Sequence, residues 1–93
     1  MVVMILQRVP VSLRGELTRW LLEARAGVFI GTISATVRDK LWEKAFSSMM
    51  GGAGMLIHNA DNEQGFSVRF WGGTNRWIVD YEGLTLVRVP EGP

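Results

Sequence analysis

The chain has 93 residues, enough for one domain, and it has no cysteine, which excludes disulfides, thiolate nucleophiles and Cys-type metal sites. Ten Lys/Arg against nine Asp/Glu give a net charge of +1, which excludes a general polycation. A hydrophobic fraction of 47% is high for so short a chain, so either the core is dense or a partner covers apolar surface.

The charge is uneven. Residues 1–50 hold seven Lys/Arg and four Asp/Glu, whereas residues 51–93 hold three and five, a mild asymmetry that points to one basic surface. No apolar run has the length of a membrane span. The first residues read as a strand rather than a signal peptide, since no positive region precedes the apolar run. The expected location is cytoplasmic, in keeping with the lack of cysteine.

VVMILQRV (2–9) is rich in β-branched residues without helical spacing and predicts a strand that is apolar on both faces. Ser12 is placed to cap a helix through LRGELTRWLLEAR (13–25), with Leu13, Leu17, Trp20, Leu21 and Ala24 on one stripe. Gly15 weakens that helix, and Ala26-Gly27 end it. GVFIGTI (27–33) predicts a second strand, again apolar on both sides. Ser34 then caps a second helix, ATVRDKLWEKAFSSMM. Its apolar face joins Val37, Leu41, Ala45 and Met49 with Trp42 and Phe46, and Gly51-Gly52 stop it. GMLIHNA (54–60) predicts a third strand, DNEQG a turn, FSVRFW (66–71) an alternating fourth strand, and GGTN another turn. WIVDYEGLTLVRV holds one or two short strands broken at Glu82-Gly83.

Short chains with two helices and four or more strands commonly pack both helices on one face of a single sheet. A ferredoxin-like βαββαβ order needs strands two and three to form a hairpin, which stands in tension with a long first helix followed by one strand. Two helices cover one sheet face, yet the first two strands are apolar on both. A second copy packed against the other face is the most economical cover, and a homodimer is expected.

Few residues invite catalysis. His58 is the single histidine and cannot build a zinc site without further ligands; a strand histidine bonded to backbone is the plain reading. No GxSxG, Walker A or GxGxxG motif is present. Asp61 and Glu63 fall in a turn, Asp80 and Glu82 lie two apart, and Glu16, Glu23, Asp39 and Glu43 are expected on helices beside basic residues, as solvated faces are. GFSVRFW matches RNA-recognition strands only loosely, because Gln64 leads where a cation belongs and one aromatic is missing. The cations are more informative. Arg8 and Arg14 bracket the first strand–helix turn, Arg38 and Lys40 lie in the first turns of the second helix, and Asn75-Arg76 lie in a glycine-rich turn. Cations there oppose the helix dipole, a cost that a bound anion reverses. Solvated surface is the plain reading; a phosphate backbone is the sharp one.

WLLEARAGVFIGTISATVRDKLWEKA (20–45) resembles the signature region of CRISPR-associated protein two in its type I-E form, the small subunit of the spacer-acquisition machinery. VPVSLRGEL, GFSVRFWG, TNR and VDYEGLTLV fit the same family in order and spacing, so the resemblance covers nearly the whole chain. It implies a single ferredoxin-like domain over residues 1–93 in a tight homodimer. It also implies assembly with the integrase subunit, CRISPR-associated protein one: the small dimer bridges two integrase dimers, duplex prespacer DNA lies across it, and strand transfer belongs to the integrase. The C-terminal strand and tail, from about residue 84 to 93, would dock on partner chains through Leu84, Leu86, Val87 and Val89. Many relatives outside this subtype carry an aspartate at the end of strand one and act as metal-dependent nucleases on RNA or DNA; type I-E relatives tend to carry glutamate there. This chain carries Gln7, a neutral amide, a poor magnesium ligand and no general base. A scaffold that requires no cofactor is therefore expected. A nuclease, the competing expectation, would need magnesium and other acids, with Glu63 and Glu82 as candidates. Carried over by position, Arg14, Arg38 and Asn75-Arg76 match DNA-contacting places, and Arg8 joins Arg14 beside the strand end. Relatives have two arginines where this chain keeps only Arg76.

Overall fold

The computed structural model describes residues 1–49 and 52–72 in full, together with the backbone of residues 78–81 and 84–87. Along Val2–Leu6 (β1) burial alternates: Val2, Met4 and Leu6 are sealed beneath the helices, and Val3 and Ile5 are half-covered on the opposite face. The remaining elements are α1 (Val11–Leu17), β2 (Leu22–Arg25), β3 (Val28–Gly31), α2 (Ala35–Ser48), β4 (Gly54–Asn59), β5 (Phe66–Trp71), β6 (Ile78–Tyr81) and β7 (Leu84–Val87). β1 pairs antiparallel with both β3 and β4, and the five-stranded sheet runs β2-β3-β1-β4-β5. β6 and β7 form a separate antiparallel pair.

The first helix is much shorter than the stripe in the sequence predicts. α1 ends at Leu17, and residues 22–25, expected to be helical, are a strand. The break has local causes. The Thr18 hydroxyl donates to Arg14 O at 2.8 Å, and the Trp20 and Leu21 amides both turn back onto Leu17 O at 3.0 and 2.8 Å. A short helix containing a glycine has little stability of its own, so pairing of Leu22–Arg25 with β3 wins. The pairing is irregular between Glu23 and Arg25. The turn between β2 and β3 needs Gly27: its φ is +81°, and a Cβ there would lie 2.3 Å from Leu6 O. This hairpin resolves the tension over strand order. The sequence β1-α1-β2-β3-α2-β4 is the ferredoxin-like α+β arrangement, with β5 added outside β4.

Other details shift accordingly. Pro10, not Ser12, occupies the N-cap of α1, and no side chain caps it. Ser34 does cap α2, accepting from the Val37 amide at 3.2 Å. Leu13 and Leu17 from α1, Leu41 and Ala45 from α2, and Met49 meet Val2, Met4, Leu6, Phe29 and Leu56 in one core, so both helices lie on one sheet face. Leu21 joins that core, while Trp20 and Ala24 do not. Phe46, expected inside, is 59% exposed and meets the ring of Trp71 edge-on, with centroids 5.4 Å apart.

The opposite sheet face carries no helix among the described residues. Register places Leu22, Ile30, Val3, Ile57 and Val68 in one cross-strand row, and Val28, Ile5, Met55 and Phe70 in the next. The two-sided apolarity of the first strands is therefore real, and Leu22 stands 66% exposed at one edge of that face.

Candidate nucleic-acid interface at the end of β1

Where β1 stops, its backbone is held from both sides. The Leu6 amide donates to Gly27 O at 2.8 Å and the Gln7 amide to Ala53 O at 3.0 Å. The chain then bends through Arg8, whose φ of +59° lies in the left-handed region that a side chain of this size rarely adopts. Such a conformation costs on the order of 1–3 kcal/mol and persists where its surroundings fix it. Both Gln7 and Arg8 are exposed. Together with Leu6, Val9, Arg14, Ala26 and Gly27 they line an open cleft of about 460 Å³.

Arg14 is held there by the hairpin. Its Nε donates to Glu23 Oε1 at 3.0 Å and lies 3.1 Å from Oε2, and Oε2 also accepts from the Gly27 amide at 3.0 Å. The Gly27 N–H, against some opposing desolvation, and then the Arg14 guanidinium hold the Glu23 carboxyl below the usual range. Arg14 uses only Nε for this contact. Its terminal Nη groups make no hydrogen bond among the described residues, and its side chain is 40% exposed. Glu23 thus belongs to a strand, not to a helix, and its pairing with Arg14 was not foreseen. A carboxylate four residues before a turn glycine was the one signal in the sequence for it.

Among the described residues the cleft lining is an amide, two guanidiniums and apolar side chains, and the nearest carboxylate, Glu23, stands behind Arg14 and is bonded to it and to the Gly27 amide. Such a lining can hold an anion by charge and hydrogen bonds. None of the described lining side chains is a general base, and Glu23 is engaged by Arg14 and the Gly27 amide.

Arg38 is elsewhere and differently employed. Its Nε donates to Asp39 Oδ1 at 2.9 Å, its Nη1 lies 3.1 Å from His58 Nδ1, and only 15% of its side chain is exposed. Asp39 Oδ1 also takes Arg69 Nη1 at 3.1 Å. The Arg38 hydrogen bond, partly offset by desolvation, and the charge of Arg69 depress the Asp39 carboxyl. This network ties α2 to β4 and β5. His58 is buried, with Nδ1 2.8 Å from Asn59 O, as a backbone-bonded strand histidine should be. Nδ1 donates to Asn59 O in one tautomer and accepts from Arg38 in the other. In both, the buried Nε2 has no partner.

Glu63 and Asp61 are exposed in the β4–β5 turn. Among the described residues no three His, Asp or Glu side chains come together as a metal site, and no helix is long and apolar enough to cross a membrane. Asn75, Arg76, Glu82 and Val89 lie outside the described residues, and Leu84, Leu86 and Val87 are described only as backbone in β7.

The strand order and the two helices on one face define a ferredoxin-like α+β protein. A family model described as CRISPR-associated protein (Cas_Cas2CT1978) matches residues 1–86, so the match takes in the cleft, both helices, β6 and all but the last residue of β7. The chain belongs to that CRISPR-associated family.

Proposed function

We propose that this chain is the non-catalytic, dimeric scaffold of CRISPR adaptation in its type I-E form. It binds duplex prespacer DNA and bridges two integrase dimers in the cytoplasm. The observation that carries this reading is the cleft at the end of β1, where Gln7 stands beside Arg8 and Arg14, at the place where the resemblance puts a carboxylate in relatives. That lining suits a phosphate and does not suit a metal-assisted hydrolysis.

Two further features support it. The apolar rows on the sheet face that carries no helix among the described residues suit a face-to-face homodimer, which repeats the cleft by a two-fold axis. The basic surface would then include Arg76, with Asn75 beside it. Arg38 contributes mainly through the network with Asp39 and His58, since little of it reaches solvent. Docking on the integrase is assigned to Leu84, Leu86, Val87 and Val89.

The test is co-purification with the integrase subunit and a labelled duplex, followed by incubation with magnesium. A stable ternary assembly with an intact duplex is expected. Magnesium-dependent cutting by the isolated chain, lost in Glu63→Ala or Glu82→Ala, would instead establish the competing reading, an endonuclease on RNA or DNA.

A further inference from the structure

A second groove lies between the two helices, away from the cleft. It encloses about 370 Å³ and is lined by Glu16 and Trp20 from α1 and its exit, and by Val37, Leu41, Lys40 and Lys44 from α2. Because α1 stops at Leu17, Trp20 escapes the core and stands 50% exposed at this groove. Half of this indole is open to solvent beside the two lysines that line the groove with it. Val37 and Leu41 already close the core beneath.

The charges are unequal. Glu16 Oε1 forms an ion pair with Lys44 Nζ at 3.4 Å, and its Oε2 lies 3.9 Å from Arg19 Nη1. Lys40 has no acidic partner within 4 Å among the described residues. The described groove lining thus sets one carboxylate, already paired with Lys44, against two ammonium groups, and Lys40, in the N-terminal half of α2, gains nothing from the helix dipole. The groove is short of an anion, and its one large ring is accessible.

We propose that this groove binds single-stranded nucleic acid: an unstacked base lies on Trp20, and the adjoining phosphates lie on Lys40 and Lys44. Flat aromatic rings flanked by cations are the general means of holding a single strand without reading its sequence. A duplex keeps its bases stacked on each other and can use only the lysines. The groove therefore prefers single strands, whereas the described lining of the cleft at β1 is cationic without an aromatic ring and has no such preference. The two surfaces share no lining residue, so this assignment stands apart from the duplex-binding role proposed above.

The experiment measures anisotropy of a labelled oligothymidylate of about fifteen nucleotides, and of a duplex of the same length, with the full chain in a salt series. Trp20→Ala should weaken single-strand binding about tenfold, leave its salt slope unchanged, and leave duplex binding intact. Trp20→Phe should retain most of the affinity. Lys40→Ala combined with Lys44→Ala should flatten the single-strand slope by about 1.4 units. Circular dichroism confirms that each variant is folded. Unchanged single-strand affinity in Trp20→Ala overturns the proposal, as does an equal loss for both substrates. A groove variant that binds the oligonucleotide normally but no longer co-purifies with the integrase also overturns it, and marks a protein-docking surface. Failure of Arg8 or Arg14 variants to affect the duplex touches only the duplex-binding reading.

Discussion

Arg8→Ala and Arg14→Ala, made singly and together, put the proposed phosphate cleft to a quantitative test. In a dimer, Arg8, Arg14 and Arg76 give six cationic contacts. Counterion release then predicts a log–log salt slope of about −5.4, at 0.9 per phosphate. A threefold rise in salt would weaken the wild-type complex roughly 400-fold. The double variant loses four contacts and keeps a slope of about −1.8, so the same rise costs it only about sevenfold. The structure adds an asymmetry between the two arginines. Arg8 has no carboxylate partner among the described residues, whereas Arg14 sits in front of Glu23. Removing Arg14 unmasks a negative charge at the cleft, so Arg14→Ala should weaken duplex binding more than Arg8→Ala. Conversely, Glu23→Gln keeps an acceptor for the Gly27 amide and removes the opposing charge, and should tighten binding. The assay is duplex affinity of the integrase-bound complex across a salt series. Equal slopes for wild type and the double variant would refute the cleft as a phosphate site. Tighter binding in Arg14→Ala than in Arg8→Ala would refute the role given to Glu23.

Gln7→Ala should leave folding and integration unchanged; loss of integration in a folded Gln7→Ala protein would show that the amide has a role of its own in integration. Val3→Asp places a charge in an apolar row on the sheet face without a described helix and should convert a dimer to the 10.4 kDa chain in sedimentation equilibrium, while a wild type that is already monomeric at micromolar concentration counts against the dimer. Gly27→Ala meets both a positive φ and Leu6 O, and should lower stability by more than about 1 kcal/mol, read from the urea midpoint. Glu23 and Asp39 both have folded carboxyl pKa values below their ordinary ones. The stability they contribute is therefore complete above the ordinary range and is lost as pH falls through the lowered values. Glu23→Gln should make the denaturation midpoint less sensitive to acid than in wild type.

Several features of this protein were legible from short stretches alone. The two-sided apolarity of VVMIL, the Ser34 cap with its Val37, Leu41 and Ala45 stripe, and the strand at FSVRFW are each set by neighbours within a few residues. Periodicity records such things directly. The amide at position 7 was likewise plain, since the chemistry of Gln7 does not depend on its surroundings. Residues 18–25 were different. Leu13, Leu17, Trp20, Leu21 and Ala24 satisfy a helical stripe, and only the availability of β3 as a partner makes Leu22–Arg25 a strand. The same event decides the cleft. On one continuous helix, Arg14 and Glu23, nine residues apart, would lie on opposite faces, about 180° around the axis. The break at Leu17 and the Gly27 turn bring them to 3.0 Å. Arg38 shows the converse: its position in the first turn of α2 suggests a solvated cation, and His58, twenty residues away on β4, takes it out of the solvent. Strand pairing and long-range ion pairs join residues that local propensity treats as strangers, so the tertiary structure alone decides which arginine faces a cleft and which one holds a helix to the sheet.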